Sequence, residues 1–222
     1  HLNVNTNIAN SLTLTLGDVD LNGYTINLST TGALVSESET ARVKGATGSI
    51  VATRNVGTNV ADLNIAGLGA ILTTTTVGMG DVEVTRNHSS FGSGDNQTPH
   101  RSYQITPTVN TGLNTTFRAT YLTAEIPVGA LFPSKLYKST GGDFFDPSGT
   151  GTISIGANYV QLSGISSFSK WVPGGPFAPS NPLPVTMASF TATRNSSLIV
   201  LHWTTTMERN NKEFVIERSF DG

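Results

Sequence analysis

The feature that most constrains this chain is strict alternation without any helical period. In "SLTLTLG", Leu12, Leu14 and Leu16 alternate with Ser and Thr, and in "GYTINLS", Tyr24, Ile26 and Leu28 alternate with polar residues. A period of two puts successive side chains on opposite faces of a strand. The same pattern recurs in "DVEVTR", "RSYQIT", "TTFRATYL", "GTISIGANYVQLSG" and "LIVLHW". No apolar i, i+3, i+4, i+7 pattern is sustained over a useful length. Gly, Asn, Asp and Pro punctuate the runs, as turns between short strands require. The chain is therefore predicted to be all-β: a sandwich, a barrel or a solenoid.

Composition narrows the function classes. Only 13% of the 222 residues are charged and 37% are hydrophobic, the rest being rich in Thr, Ser, Asn and Gly. A surface solvated by hydroxyls and amides, with β-branched Thr covering sheet faces, is the habit of secreted β-proteins. The formal net charge is −2, and no basic stripe is present to neutralise phosphates, so nucleic acid is not an expected partner. The sequence has no run of ~18 apolar residues and no basic amphipathic helix, so membrane insertion is not expected. The absence of cysteine removes disulfides and thiolate metal sites. With no initiator Met and no signal peptide, the sequence reads as a processed or excised piece.

Four segments are predicted. Residues 1–80 carry short strands separated by tight turns, as in a β-solenoid whose coils stack, or in a meandering sheet. Residues 81–172 read as an immunoglobulin-like β-sandwich. Its strand candidates are 82–85, 103–107, 115–122, 135–139, 152–155 and 159–163, with a last one through Phe168 and Trp171. Residues 173–185 hold five prolines in "VPGGPFAPSNPLPV" and are expected to be an extended linker. Residues 186–222 contain three further strand candidates, 188–194, 198–204 and 213–219, with "RNSS" as a hairpin turn. Three strands fall short of a sandwich and would leave edges bare.

Few residues offer chemistry. Asp18, Asp20 and Asn22, followed by Gly23, open like a calcium loop. Such a loop needs a bidentate Glu at its twelfth position, here Ser29, and flanking helices, where "YTINL" continues as a strand. Asn22–Gly23 favours a type I′ turn instead, and calcium stands as a weak alternative and the only cofactor suggested. The loop 86–101 holds His88, Asp95, His100 and Arg101, which could bind a glycan or a partner. Their spacing matches no metal motif, and a solvated hairpin loop is the plainer reading. There is no G-x-S-x-G and no Cys nucleophile, and nothing places two carboxylates together. "GLGAILTTTTVGMG" lacks the Lys and the following helix of a phosphate loop. Trp171, Trp203, Tyr103, Tyr121 and Tyr159 could form a sugar platform, but core packing is the default for both tryptophans. No catalytic residue emerges, and the chain is read as non-enzymatic.

The C-terminal segment carries the most specific resemblance. "PLPVTMASFTATRNSSLIVLHWTTTMERNNKEFVIERSFDG" resembles a segment found near the C-termini of many secreted Bacteroidota proteins. Leu183, Pro184, Val185, Ser189, Phe190, Thr191 and Ala192 match its opening. Trp203, Thr205, Glu208, Asn210, Asn211, Phe214, Ile216, Glu217, Arg218, Ser219, Asp221 and Gly222 continue the match. It is similar to the first half of a fibronectin type III-like domain, which in such proteins stands before a sorting domain for type IX secretion. Upstream, "VDLNGYTINLSTTGALVSE", "NVADLNIAGLGAILTTTT", "RSYQITPTVNTGLNTTFRATYL" and "NYVQLSGISSFSKWVPG" are similar to stalk-like or adhesin-like stretches of that phylum's surface proteins. The resemblance implies an extracellular or cell-surface structural or adhesive protein. Its partners would be copies of itself or neighbouring domains of the same long chain, with a glycan as a further possibility. Phe190, Trp203, Phe214 and Ile216 would lie on strands shared between subunits by β-strand addition. The competing expectation is a carbohydrate-binding accessory module of an exported hydrolase.

Overall fold

The computed structural model describes residues 1–141, 144–147, 151–176, 186–196, 198–207, 214 and 216. The chain forms two compact units, His1–Ser180 and Asn181–Gly222. It is all-β, and among the described residues helical structure is limited to three short 3-10 turns. No helix among them is long and apolar enough to cross a membrane.

The N-terminus is a short parallel solenoid. Its first coil carries β1 (Thr6–Asn7), β2 (Ser11–Thr13) and β3 (Val19–Asp20), and its second carries β4 (Thr25–Asn27), β5 (Ala33–Val35) and β6 (Val43–Lys44). β1 pairs with β4, β2 with β5 and β3 with β6, all in parallel. Like therefore stacks on like: Leu12 on Leu34 and Val19 on Val43. Leu21, Ile26, Leu28, Leu34 and Val43 fill the interior. Burying each such side chain stabilises the fold by about 1.5–3 kcal/mol, which is how sides of two or three residues hold together. The Asn-Gly pair turns the chain as expected. Asn22 (φ 50°) and Gly23 (φ 87°) both lie in the left-handed region, and the Tyr24 N–H donates to the Leu21 carbonyl at 2.9 Å. Because β3 and β4 belong to different ladders, this is a coil corner rather than a hairpin.

The next strand, β7 (Ser49–Val56), joins the solenoid to the sandwich. Its first three residues stack in parallel on β4, Ile50 lying on Ile26. Its whole length also pairs antiparallel with β10. After it come β8 (Leu63–Asn64), β9 (Ala70–Thr73), β10 (Gly80–Asn87), β11 (Ser102–Pro107) and β12 (Thr115–Thr120). The unit continues through β13 (Lys135–Gly141), β14 (Phe144–Pro147), β15 (Ile153–Gly156), β16 (Tyr159–Ile165) and β17 (Lys170–Gly174). One sheet runs β1-β4-β7-β10-β11-β17-β13-β14 and the other β15-β16-β12-β9-β8. Phe117 of β12 bridges the two faces, its ring 5.8 Å from Tyr103 of β11 and 5.9 Å from Trp171 of β17, both edge-on.

Two expected boundaries move. The division at 80/81 does not exist, because β10 hydrogen-bonds to β7 across it and one apolar core runs from Leu14 to Trp171. The linker does not begin at residue 173. Pro173 and Gly174 are buried in β17, paired with Leu136 and Lys135 of β13. Proline is tolerated there because β11 meets β17 only at Trp171 and Lys170, so no ladder bond needs the missing N–H. Residues 177–185 lie outside the described set.

The second unit shows one hairpin, β18 (Thr186–Asn195) and β19 (Leu198–Met207), with Ser196 in the turn at φ 55°. Phe190 faces Trp203 and Ala192 faces Leu201, while on the other side Ser189 faces Thr204 and Thr191 faces His202. The first face is mostly apolar, with Ile199 opposite Arg194, and the second mostly polar, with Val200 opposite Thr193 and Leu198 opposite Asn195. Of the third candidate, 213–219, only Phe214 and Ile216 are described. The Phe214 ring lies 5.5 Å from Trp203. Trp203, expected as a core residue, keeps 36% of its surface exposed.

Candidate functional site

The chemistry of unit one gathers where coil two meets the sandwich. Val82, Val84 and Arg86 share the inward face of β10, so Arg86 takes a position that alternation reserves for an aliphatic side chain, and it is fully buried. A buried guanidinium needs counter-charge and acceptors. Glu37, on the corner after β5, supplies both oxygens, accepting from Arg86 Nη1 at 2.8 Å and Nη2 at 2.7 Å. Arg86 also donates to the Leu68 carbonyl at 3.1 Å and, through Nε, to His88 Nε2 at 3.2 Å. Arg101, just before β11, donates to Glu37 at 3.0 Å and to Glu125 Oε1 at 3.0 and 2.7 Å. The other oxygen of Glu125 accepts from the Leu122 N–H at 2.9 Å. The order is Arg86–Glu37–Arg101–Glu125, two charges of each sign. Nearby, Glu39 accepts from the N–H groups of Thr123 and Ala124 at 2.9 and 2.8 Å, tying the same corner to the same turn.

The cluster sets the protonation states around it. Burial pushes the Glu37 carboxyl up, but Arg86 and Arg101 outweigh it and hold the group down at about 2. His88 is driven well below its ordinary value by burial and then by the same two arginines. It is therefore neutral, with Nε2 accepting from Arg86 and the proton on Nδ1, a buried atom without a hydrogen-bond partner.

This changes the reading of the 86–101 loop. His88 and Arg101 are core residues of the cluster, 3% and 2% exposed, whereas Asp95 and His100 are solvent-facing. The four do not form one binding face. His88 and His100 do line one cleft of about 300 Å³, together with Arg42 and Lys44. Asp18, Asp20 and Asn22 are each engaged by the protein. Asp18 pairs with Lys44 at 3.0 Å and accepts from the Arg42 N–H at 3.3 Å. Asp20 meets His1 at 3.1 Å and accepts from the Asn22 N–H at 3.0 Å. Among the described residues no three metal-ligating side chains converge. Of the candidate sugar platform, Tyr103, Tyr121 and Trp171 are buried, and Tyr159 is half-buried beneath the Arg118 guanidinium at 5.0 Å.

Sequence reasoning missed Glu37, Arg86 and Glu125. One signal was available: a charged residue in phase with Val82 and Val84. A second cleft, of about 420 Å³, opens on the Glu37–Arg101 pair and is rimmed by Ser36, Asn64, Asn158 and Tyr159. No family model, no curated protein and no solved structure matches the chain.

Proposed function

We propose that this chain is part of an extracellular, non-enzymatic structural or adhesive protein, a cell-surface stalk or fibre subunit of the Bacteroidota type. The observation that carries the reading is the amphipathic hairpin of unit two. Phe190 and Ile199 are 58% and 72% exposed on its apolar side, and among the described residues the sheet holds two strands. Such a sheet is marginal alone and is completed by added strands. A neighbouring copy supplies them by β-strand addition, which builds a fibre. The charge-poor, hydroxyl-rich surface and the resemblance of residues 182–222 to secreted proteins support the extracellular setting.

Sedimentation of the purified chain over a range of concentrations, with negative-stain micrographs of the same samples, tests this. Growing assemblies and filaments are expected, and the double variant Phe190→Lys, Ile199→Lys should stay at the mass of one chain. Wild-type protein that remains a single chain at every concentration would sink strand addition.

A further inference from the structure

We propose that the cleft opening on Glu37 and Arg101 binds a neutral saccharide. Its volume of about 420 Å³ falls within the range of roughly 300–1,000 Å³ typical of small-ligand sites. Its walls come from five separate stretches: the coil-two corner at Ser36, the turn at Asn64, the start of β11, the end of β12 and the β15–β16 turn at Asn158.

The charge balance excludes most ligand classes. The two charged groups in the cleft are spent. Glu37 accepts from both Arg86 and Arg101, and Arg101 is shared with Glu125. An anionic ligand would find no uncommitted cation there, and a cationic one no uncommitted carboxylate. Either would have to break a buried pair, which costs about 3–5 kcal/mol.

The neutral groups are the opposite case. The Ser36 hydroxyl, the Asn158 amide and the Tyr159 hydroxyl have no hydrogen-bond partner among the described residues. Asn64 uses only its oxygen, which accepts from the Gly69 N–H at 3.0 Å. Hydroxyls and amides both donate and accept, so this rim matches a ligand whose own groups do both at short spacing. Sugar hydroxyls meet that description. Leu122, half-buried in the wall, offers apolar surface to the C–H face of a ring. The inference does not depend on fibre formation, since every residue involved lies in unit one.

Isothermal titration of the full chain with a panel of neutral hexasaccharides (cello-, laminari-, manno-, xylo- and chitohexaose) and with hexagalacturonate tests it. At least one neutral oligomer should bind saturably. Asn158→Ala should weaken that binding about tenfold, the scale of one lost hydrogen bond in a polar site. Ser36→Ala with Asn158→Ala should abolish it without moving the thermal midpoint, since both residues are exposed. Lys44→Ala, in the other cleft, should leave it unchanged. Absence of binding across the neutral panel, binding indifferent to the Ser36 and Asn158 changes, or preference for hexagalacturonate would each overturn the proposal.

Discussion

Arg86 is the residue on which the junction turns. A guanidinium buried in phase with Val82 and Val84 is stable only while Glu37 faces it, and Glu37 also serves Arg101. Glu37→Gln leaves Arg86 buried without a counter-charge and Arg101 with Glu125 alone, so urea unfolding should show a loss of about 3–5 kcal/mol. The pH dependence follows from the same contacts. The Glu37 carboxyl ordinarily titrates at 4.5 and here at about 2. Its contribution is complete above 4.5 and is lost as pH falls toward 2, and Glu37→Gln should remove that part of the slope. His88 works in a higher window. Folded, it resists the proton that the unfolded chain accepts near 6.5. Stability should therefore decline as pH drops below 6.5, by up to about 1.4 kcal/mol per pH unit, and His88→Gln should flatten this decline in melts from pH 7 to 5. At this scale the sequence was partly legible. Asn22–Gly23 declared its turn because the left-handed conformation restricts which residues fit. Glu37 did not declare its burial. "SESET" reads as a polar corner, and its partners lie 49 and 64 residues away.

Elements were more legible than their neighbours. Strands β10, β12 and β16 show themselves by alternation, since one face of each is buried and the other wetted. The eight-residue β7 was not read. Its alternation is blurred because Arg54, at a half-buried position, turns back to donate to the Ser29 carbonyl at 3.0 Å and to the Gly32 carbonyl. The solenoid period was hidden for a related reason. Each side is only two or three residues long, and the register between stacked partners varies from 20 residues (Thr6 to Ile26) to 24 (Ile26 to Ile50). Corners absorb the difference, and a corner glycine differs from one packed in the sandwich. At Gly23 a Cβ would touch only Thr47 Oγ1 at 3.5 Å. Gly23→Ala should then cost the left-handed penalty alone, about 1–2 kcal/mol. At Gly69, φ is 84° and a Cβ would also run into Thr120 Oγ1 and lie 2.9 Å from the Tyr103 hydroxyl. Gly69→Ala should cost roughly 3 kcal/mol, conformation plus overpacking, and paired thermal melts would rank the two. Equal costs would mean that Gly69 sits more loosely than its contacts indicate.

For the molecule as a whole, β7 decides what counts as a domain. Read along the sequence, the change of rhythm near residue 80 looks like a boundary, because stacked coils and a sandwich are different architectures. In space one strand serves both, parallel to β4 on one edge and antiparallel to β10 on the other. The side chains follow: Ile50, Ala52 and Val56 of β7 share a core with Val82, Tyr103, Phe117 and Trp171. The Glu37–Arg86 and Glu37–Arg101 pairs and the Glu39 bonds cross the same seam. A cut at 80/81 would strip β10 of its long partner, leave the apolar inner face of the larger sheet open, unpair the buried Arg86 and leave Arg101 with Glu125 alone. Losses of that kind exceed the roughly 5–15 kcal/mol by which a domain is stable. Residues 1–80 and 81–180 expressed separately should each lack a cooperative melt and dispersed amide resonances, whereas co-expression of the two should restore both. A cooperative transition in 81–180 alone would mean that the sandwich stands without the coils and that the seam is only a docking surface.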